Sequence, residues 1–346
     1  MYEKFYDFTA MPFQLTPDSR FFYGSKGHSR AIAHLIYGLS QGEGFIIVTG
    51  EVGAGKTTLV ERLWSELDRD TYTLARINTT QVSGDDLFRL TMNAFGINAT
   101  GLDKATLLRD FQDMLRAYAA GGRRCLLVVD EAQNLSLPAL EELRMLSNVT
   151  VEGAQSALQT ILLGQPQFRR KLASPDLDQL RQRVLASYHL GPLSEEETRS
   201  YIEYRLNAVG WHDDPTFSDG AFGAIFRYTG GVPRRINRLC SRVLLYGALE
   251  ESHQITGPMV DNTAHELQQD LEGGAPTGAA LPAETMAAQI GAALGGGGSF
   301  GFSEERSQLV TDLTRRVQVL EEAVARRERV FQRLMDVFSG FNAQRQ

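Results

Sequence analysis

Two cysteines and two tryptophans are all that the 346-residue chain carries of either type. Cys125 and Cys240 stand far apart in apolar or helical surroundings. This excludes a disulfide-stapled scaffold and predicts a buried, reduced pair in a cytosolic protein. No apolar run reaches the roughly 20 residues of a membrane span. The longest, near Phe45–Val48 and Leu126–Val129, are of strand length, and the Ala-rich stretch Leu281–Leu294 is broken by Pro282 and Glu284. Met1–Ala10 is aromatic and acidic, without the basic and apolar regions of a signal peptide. Positive charge is in deficit: 35 Lys and Arg against 42 Asp and Glu give a net charge of −7. That balance offers no global attraction to nucleic acid or an anionic membrane. The six histidines are scattered, with no ligand-spaced cluster, and no Gly-x-Ser-x-Gly or Cys/His constellation is present. A soluble, cytoplasmic protein with no transmembrane segment is expected.

With 42% hydrophobic and 22% charged residues the chain can bury a real core, and its length suits about two domains. Residues 1–40 are an aromatic segment (Phe5, Tyr6, Phe8, Phe13, Phe21, Phe22, Tyr23) followed by a helical pattern from Ser29 to Leu39. Residues 41–192 alternate apolar runs with amphipathic stretches, which predicts a doubly wound α/β domain on a parallel sheet. Its five strands are expected at Phe45–Thr49, Thr73–Asn78, Cys125–Val129, Leu158–Leu163 and Ala186–Leu190. Residues 193–270 lose strand signals and read as an all-α lid, with a capping box at Ser194–Glu197 and Pro233 in the first turn of a helix. Residues 271–303 are a Gly/Ala-rich linker, ending in Gly295–Gly298, that lacks the apolar content to fold. In the tail, 304–346, Val310, Leu313, Val317, Leu320, Val324, Phe331, Leu334 and Phe338 follow a heptad seam that Arg327 interrupts. Val at a with Leu at d, and Arg316 facing Glu321 across a pair, predict a parallel two-stranded coiled coil. The alternative is one amphipathic helix docked on the body or on a partner.

Gly50-Glu-Val-Gly-Ala-Gly-Lys-Thr57 matches G-x-x-x-x-G-K-[ST], after an apolar strand and before a helical stretch, Thr58–Leu67. Gly50, Gly53, Ala54 and Gly55 let successive N–H groups face phosphate oxygens, with Thr58 continuing into the helix N-terminus. Lys56 would neutralise the β- and γ-phosphates, and the Thr57 hydroxyl would ligate Mg2+. Leu126-Leu-Val-Val-Asp130-Glu131 is an apolar strand ending in two carboxylates, costly unless they serve at the sheet's carboxyl edge. Asp130 would hold Mg2+ and its water shell, and Glu131 would be the general base for an attacking water. The absence of an Asn-Lys-x-Asp motif favours ATP over GTP.

With these motifs the chain resembles AAA+ ATPases, and among them the ExeA/GspA-type general secretion ATPases of the branch found beside exosortase (PEP-CTERM) and exopolysaccharide loci. The resemblance rests on Pro12-Phe13, Phe21–Ser25, His28–Ala31, Gly42–Phe45, the P-loop, Asp130–Gln133, Leu163–Pro166 and Gly230–Arg234, and it covers about residues 1–270. It implies that Gln165 is a sensor-1 residue, that Arg183 (or Arg181) is an arginine finger reaching a neighbouring subunit, and that Arg234 (or Arg235) is sensor 2 on the lid. It also implies that Tyr23 or its neighbours border the adenine. Longer members carry a transmembrane helix and a cell-wall-binding module where this chain has its linker and tail. Any envelope role would therefore run through a partner engaging residues 304–338. The implied function is a Mg-dependent ATPase that self-associates, with ATP bound at subunit boundaries, and that supports an envelope secretion or polysaccharide-export system, possible recruitment to the inner membrane being peripheral. Two other readings stand beside it. One is a DNA-binding transposition regulator, for which Arg234, Arg235, Arg238 and Arg242 form a basic cluster. The other is a scaffold that uses ATP only as an ordering ligand.

Overall fold

The computed structural model describes residues 2–16, 19–78, 83–149 and 158–272. Its centre is a five-stranded parallel sheet in the order β2-β3-β4-β1-β5. The strands are β1 (Phe45–Gly50), β2 (Tyr72–Asn78), β3 (Arg124–Asp130), β4 (Leu158–Gly164) and β5 (Val184–Leu190). Each matches its expected position to within two residues. Every residue of β1 and β4, and all of β3 after Arg124, is buried. Such burial on both faces is why these strands are continuous apolar runs rather than alternating ones. The edge strands β2 and β5 include exposed positions.

Alternate residues of the inner strands feed two cores. Phe45, Ile47, Leu127 and Val129 face a layer built from α4 (Gly84–Ala94), α5 (Lys104–Ala120) and α6 (Leu137–Ser147). Ile46, Val48, Leu126 and Val128 face α2 (Lys26–Gln41) and α3 (Lys56–Glu66), whose Leu35, Leu39, Leu59 and Leu63 close the other side. The short helices α7 (Pro166–Leu172) and α8 (Asp178–Arg181) connect β4 to β5. The first helix of the chain, α1 (Tyr2–Phe5), belongs elsewhere.

The lid follows β5: α9 (Glu195–Asn207), α10 (Asp219–Thr229), α11 (Pro233–Leu249) and α12 (Gly257–Glu272). Ser194 and Glu197 form the expected reciprocal capping box, and Pro233 occupies the first turn of α11. Two corrections apply here. The lid is not purely helical, because β6 (Thr216–Phe217) and β7 (Gln254–Ile255) pair in parallel. Two-residue strands carry too little pattern to register as a period-2 signal. Nor is the aromatic segment before α2 a unit of its own. Tyr2, Tyr6, Phe8, Phe13 and Phe21 are buried in the lid's core with Ile202, Leu206, Ile225, Leu239 and Val243. Tyr6 Oη donates to the Ser252 carbonyl at 3.0 Å, and Thr9 Oγ1 donates to the Val209 carbonyl at 3.0 Å. Contacts between residues some 200 positions or more apart leave no local trace in sequence.

The chain therefore crosses between core and lid at two places, just before α2 and just before α9. Glu197 binds both: its Oε1 accepts the Lys26 N–H at 3.0 Å and its Oε2 accepts the Ser194 N–H at 3.1 Å. Cys125 and Cys240 are free and buried as expected, and burial pushes the Cys125 thiol up to about 12 and the Cys240 thiol up as well. Neither is a nucleophile in that state. No helix among the described residues is long and apolar enough to cross a membrane. The expected linker (271–303) and heptad tail (304–346) lie outside the described residues, apart from the end of α12.

Phe13 tests the docking of the N-terminal segment, because it is only 2% exposed. Phe13→Ala is expected to lower unfolding free energy by about 3–5 kcal/mol in urea titrations, with Phe13→Leu costing less.

Candidate functional site: a phosphate cradle at the carboxyl edge of the sheet

β1 lies between β4 and β5, so the turn leaving it opens at the point where helices pass to opposite faces of the sheet. This is where open α/β sheets bind ligands. The turn runs from Gly50 to Gly55, and Lys56 begins α3. Gly53 has φ 82° and Gly55 φ 98°, a backbone region that other residues enter only with strain. Both positions are also crowded. A Cβ on Gly53 would lie 2.2 Å from Arg234 Cβ, and one on Gly55 would lie 2.9 Å from His28 Nε2.

Lys56 is 6% exposed, and its ammonium donates to the carbonyls of Gly50 at 2.8 Å and Glu51 at 3.0 Å. Burial lowers its pKa, and the carboxylates of Glu131, Asp130 and Glu51 oppose that shift. Thr57 Oγ1 donates to Asp130 Oδ2 at 2.7 Å, joining the first turn of α3 to the end of β3. Asp130 Oδ1 accepts the Glu131 N–H at 2.9 Å. Paired hard oxygens of this kind suit Mg2+, and the inward-curling turn suits a polyphosphate.

Glu131 sits at φ 54°, ψ 38°, a left-handed conformation that costs a non-glycine residue roughly 1–3 kcal/mol. The kink ends β3 and turns its carboxylate toward the start of α7. There the Gln165 side-chain amide donates to Glu131 Oε2 at 3.1 Å, and the Gln133 amide donates to the same oxygen. The Gln165 N–H in turn donates to Gln133 Oε1 at 3.0 Å. Gln165 thus stands beside Glu131. Arg234 approaches from the lid, its N–H donating to the Gly53 carbonyl at 3.2 Å.

Between core and lid runs a cleft of about 340 Å³, lined by the P-loop side chains Lys56 and Thr57, by Glu131, and by Phe21, Phe22 and Tyr23. The aromatic segment therefore lines the cleft.

Arg183 is not brought to this cleft. It precedes Val184, which pairs with Phe45 at the start of β1, whereas the P-loop leaves the far end of that strand. The separation is roughly 20 Å at strand rise. Arg183 is exposed, while Arg181 is held by its own chain through Asp178 Oδ1 and, at 3.0 Å, the Leu172 carbonyl.

Three residues at the site were not singled out from the sequence. Gln133 lies inside a quoted motif but gains its role only when the turn after β3 folds back. Arg76 of β2 reaches Asp130, a contact set by strand pairing. His28 is buried against the P-loop, with its Nδ1 2.8 Å from Ser25 Oγ.

A family model for an AAA domain matches residues 39–172. General secretion pathway protein A of Aeromonas hydrophila is 35% identical over 307 residues, covering 88% of this chain and 56% of that protein. Residues 39–172 thus carry an AAA domain, in a chain similar to the ExeA/GspA-type proteins. The chain spans little more than half the length of that relative. Among solved structures, the Aeropyrum pernix ORC2 protein, in ADPNP–ADP complexes, aligns with a TM-score of 0.57 at 16% identity, covering 74% of this chain and 71% of its own. Cdc6p from Pyrobaculum aerophilum gives 0.57 at 18% identity, covering 72% and 71%. At such identity the likeness speaks for the fold, a P-loop AAA+ core with a following helical lid.

His28 gives this AAA site a pH signature. Burial holds its pKa below the usual 6.5, against opposing effects of Glu197 and the Ala54 backbone. The unfolded chain therefore takes the proton first as pH falls. The stabilisation from neutral His28 is present above pH 6.5 and shrinks as pH drops from there toward the folded value. Thermal melts between pH 7.5 and 5 are expected to show a decline in wild type that is shallower in His28→Gln.

Proposed function

We propose that this AAA protein is a Mg-dependent ATPase working at subunit boundaries. The observation that carries the reading is the set formed by Lys56, the Thr57–Asp130 hydrogen bond at 2.7 Å, and Glu131 with its carboxylate held by two glutamine amides. A protein that only binds nucleotide has no need for a strained, oriented carboxylate at this point.

The P-loop N–H groups and the α3 N-terminus bind the phosphates, and Lys56 exchanges the carbonyls of Gly50 and Glu51 for phosphate oxygens. Mg2+, when bound by Thr57 and Asp130, supplies positive charge that offsets what develops on the phosphate oxygens. Glu131 takes a proton from the attacking water as its oxygen bonds to the γ-phosphorus and the bond to ADP breaks. Gln165 and Gln133 position Glu131, and Gln165 senses the terminal phosphate. Arg234 brings lid closure to the γ-phosphate. Arg183, exposed and remote from its own P-loop, serves a neighbouring subunit, and charge on the transferring phosphoryl group is what makes the added cation effective.

The domain scheme that goes with this reading is a core over 41–192, a lid over 193–270, a linker over 271–303 and a coiled-coil tail over 304–346. Self-association and engagement of an envelope partner through 304–338 complete it. The cellular role we infer is assembly or operation of an envelope secretion or exopolysaccharide-export system. The likeness to a general secretion pathway protein supports the secretion side, and the quoted motifs support the exosortase-locus branch. The protein acts from the cytoplasm, recruited to the inner membrane by its partner.

Lys56→Ala is expected to abolish nucleotide binding or turnover. Glu131→Gln is expected to bind Mg-ATP as wild type does while turnover falls by roughly 100-fold or more. Retained turnover in Glu131→Gln would remove it as the base. The trans arginine is read by mixing. Turnover per subunit should rise with protein concentration, should be lost in Arg183→Ala, and should return in part when Arg183→Ala is mixed with Glu131→Gln. No recovery on mixing would place Arg183 outside a shared site.

A further inference from the structure

The carboxylate assigned to Mg2+ already faces a cation of this chain. Arg76, in the middle of edge strand β2, sends Nη2 to Asp130 Oδ2 at 3.3 Å and Nη1 to Glu61 Oε1 of α3 at 3.3 Å. Strand pairing sets this up, since Arg76 lies opposite Val128 and Asn78 opposite Asp130. The side chain of Asp130 is 10% exposed and that of Arg76 is 32% exposed, so water screens the contact only in part. Asp130 Oδ2 also accepts the Thr57 hydroxyl at 2.7 Å, and Oδ1 accepts the Glu131 N–H at 2.9 Å. A guanidinium and a divalent ion with its water shell cannot both be near neighbours of one carboxylate oxygen without mutual repulsion. Glu61 offers Arg76 a second carboxylate.

We propose that Arg76 is a built-in competitor for the divalent ion, held between Asp130 and Glu61, which sets the affinity of the nucleotide site for metal. The inference rests on the assignment of Asp130 to Mg2+. It makes Arg76 a positioning residue rather than a catalytic one. In the metal-free state Arg76 neutralises Asp130 and keeps the end of β3 in place. Entry of the ion requires Arg76 to fall back on Glu61, so metal loading is weaker than the ligand set alone would give.

The test is Mn2+ titration of the full chain with a slowly hydrolysed triphosphate, ATPγS, followed by electron paramagnetic resonance of free Mn2+. ATPγS affinity in EDTA is measured alongside. Arg76→Gln is expected to lower the half-saturating Mn2+ concentration by roughly 3- to 10-fold, the effect of removing one partly screened charge. Its affinity for ATPγS in EDTA should fall no more than a few-fold, the effect of leaving Asp130 unneutralised, and retained binding shows that it is folded. Arg76→Lys keeps the charge without the two-pronged fork and should fall between the two. Mn2+ binding that is unchanged or weaker in Arg76→Gln overturns the proposal. So does loss of metal-free ATPγS binding in a folded Arg76→Gln, which would make Arg76 a phosphate ligand. Asp130→Asn separates the underlying assignment: if it leaves Mn2+ binding unaltered, Asp130 is not a metal residue and the assignment falls with the proposal. If Asp130→Asn weakens Mn2+ and Arg76→Gln changes nothing, the assignment stands and the competitor does not.

Discussion

The hydrogen bond from Thr57 to Asp130 depends on the one strand that separates them. β4 lies between β1 and β3, which puts the two strand ends about 10 Å apart at sheet spacing. A P-loop that turns directly into α3 spans that gap, carrying the Thr57 hydroxyl to the Asp130 carboxylate. Strand order is thus a distance constraint. Gln165 enters by the same route, because it directly follows β4, the strand in the middle. Lys56, the adjacent pair Asp130 and Glu131, and Gln165 come from three separate parts of the chain and meet because three parallel strands end at one edge.

Burial makes that edge electrostatically demanding. Lys56 and Asp130 are nearly inaccessible to water, and each is met by partners of its own chain: carbonyls for the ammonium, a hydroxyl and a guanidinium for the carboxylate. The site is therefore satisfied internally, and any group that binds there has to replace contacts that already exist. Exchange of this kind keeps the cost of leaving buried groups unpaired low between ligand states. It also explains why the residues around the P-loop are so closely fitted, with His28 and Arg234 packed where any side chain on Gly55 or Gly53 would need to be.

How much of this could be read from the chain follows from where each signal originates. The inner strands are legible because burial on both faces demands unbroken apolar runs, and only β5 starts two residues before its expected position, at Val184 and Leu185, which are partly buried. The P-loop and the Asp130–Glu131 pair are legible because their chemistry depends on consecutive residues. Arg76, Gln133 and His28 were hidden for the opposite reason. Each acquires its partner only after strands pair or turns close, and nothing in the local pattern marks Arg76 as different from any exposed strand arginine. The aromatics before α2 were visible as a cluster, yet their destination was not. Tyr6 finds Ser252, 246 residues away, and so the segment belongs to the lid rather than to itself.

That last feature has a mechanical side. Because the N-terminal segment is fastened into the lid core, core and lid are joined by two covalent crossings, and the carboxylate of Glu197 clasps both. Two attachment points define a line, as the two hinges of a door do. Rotation about that line is the motion that leaves the crossings intact, whereas sliding or twisting of the lid would strain one crossing against the other. Phe21 and Tyr23 pack on the door side, so that wall of the cleft moves with Arg234 as one leaf, whereas Phe22 rests against His28 and Arg62 of the core.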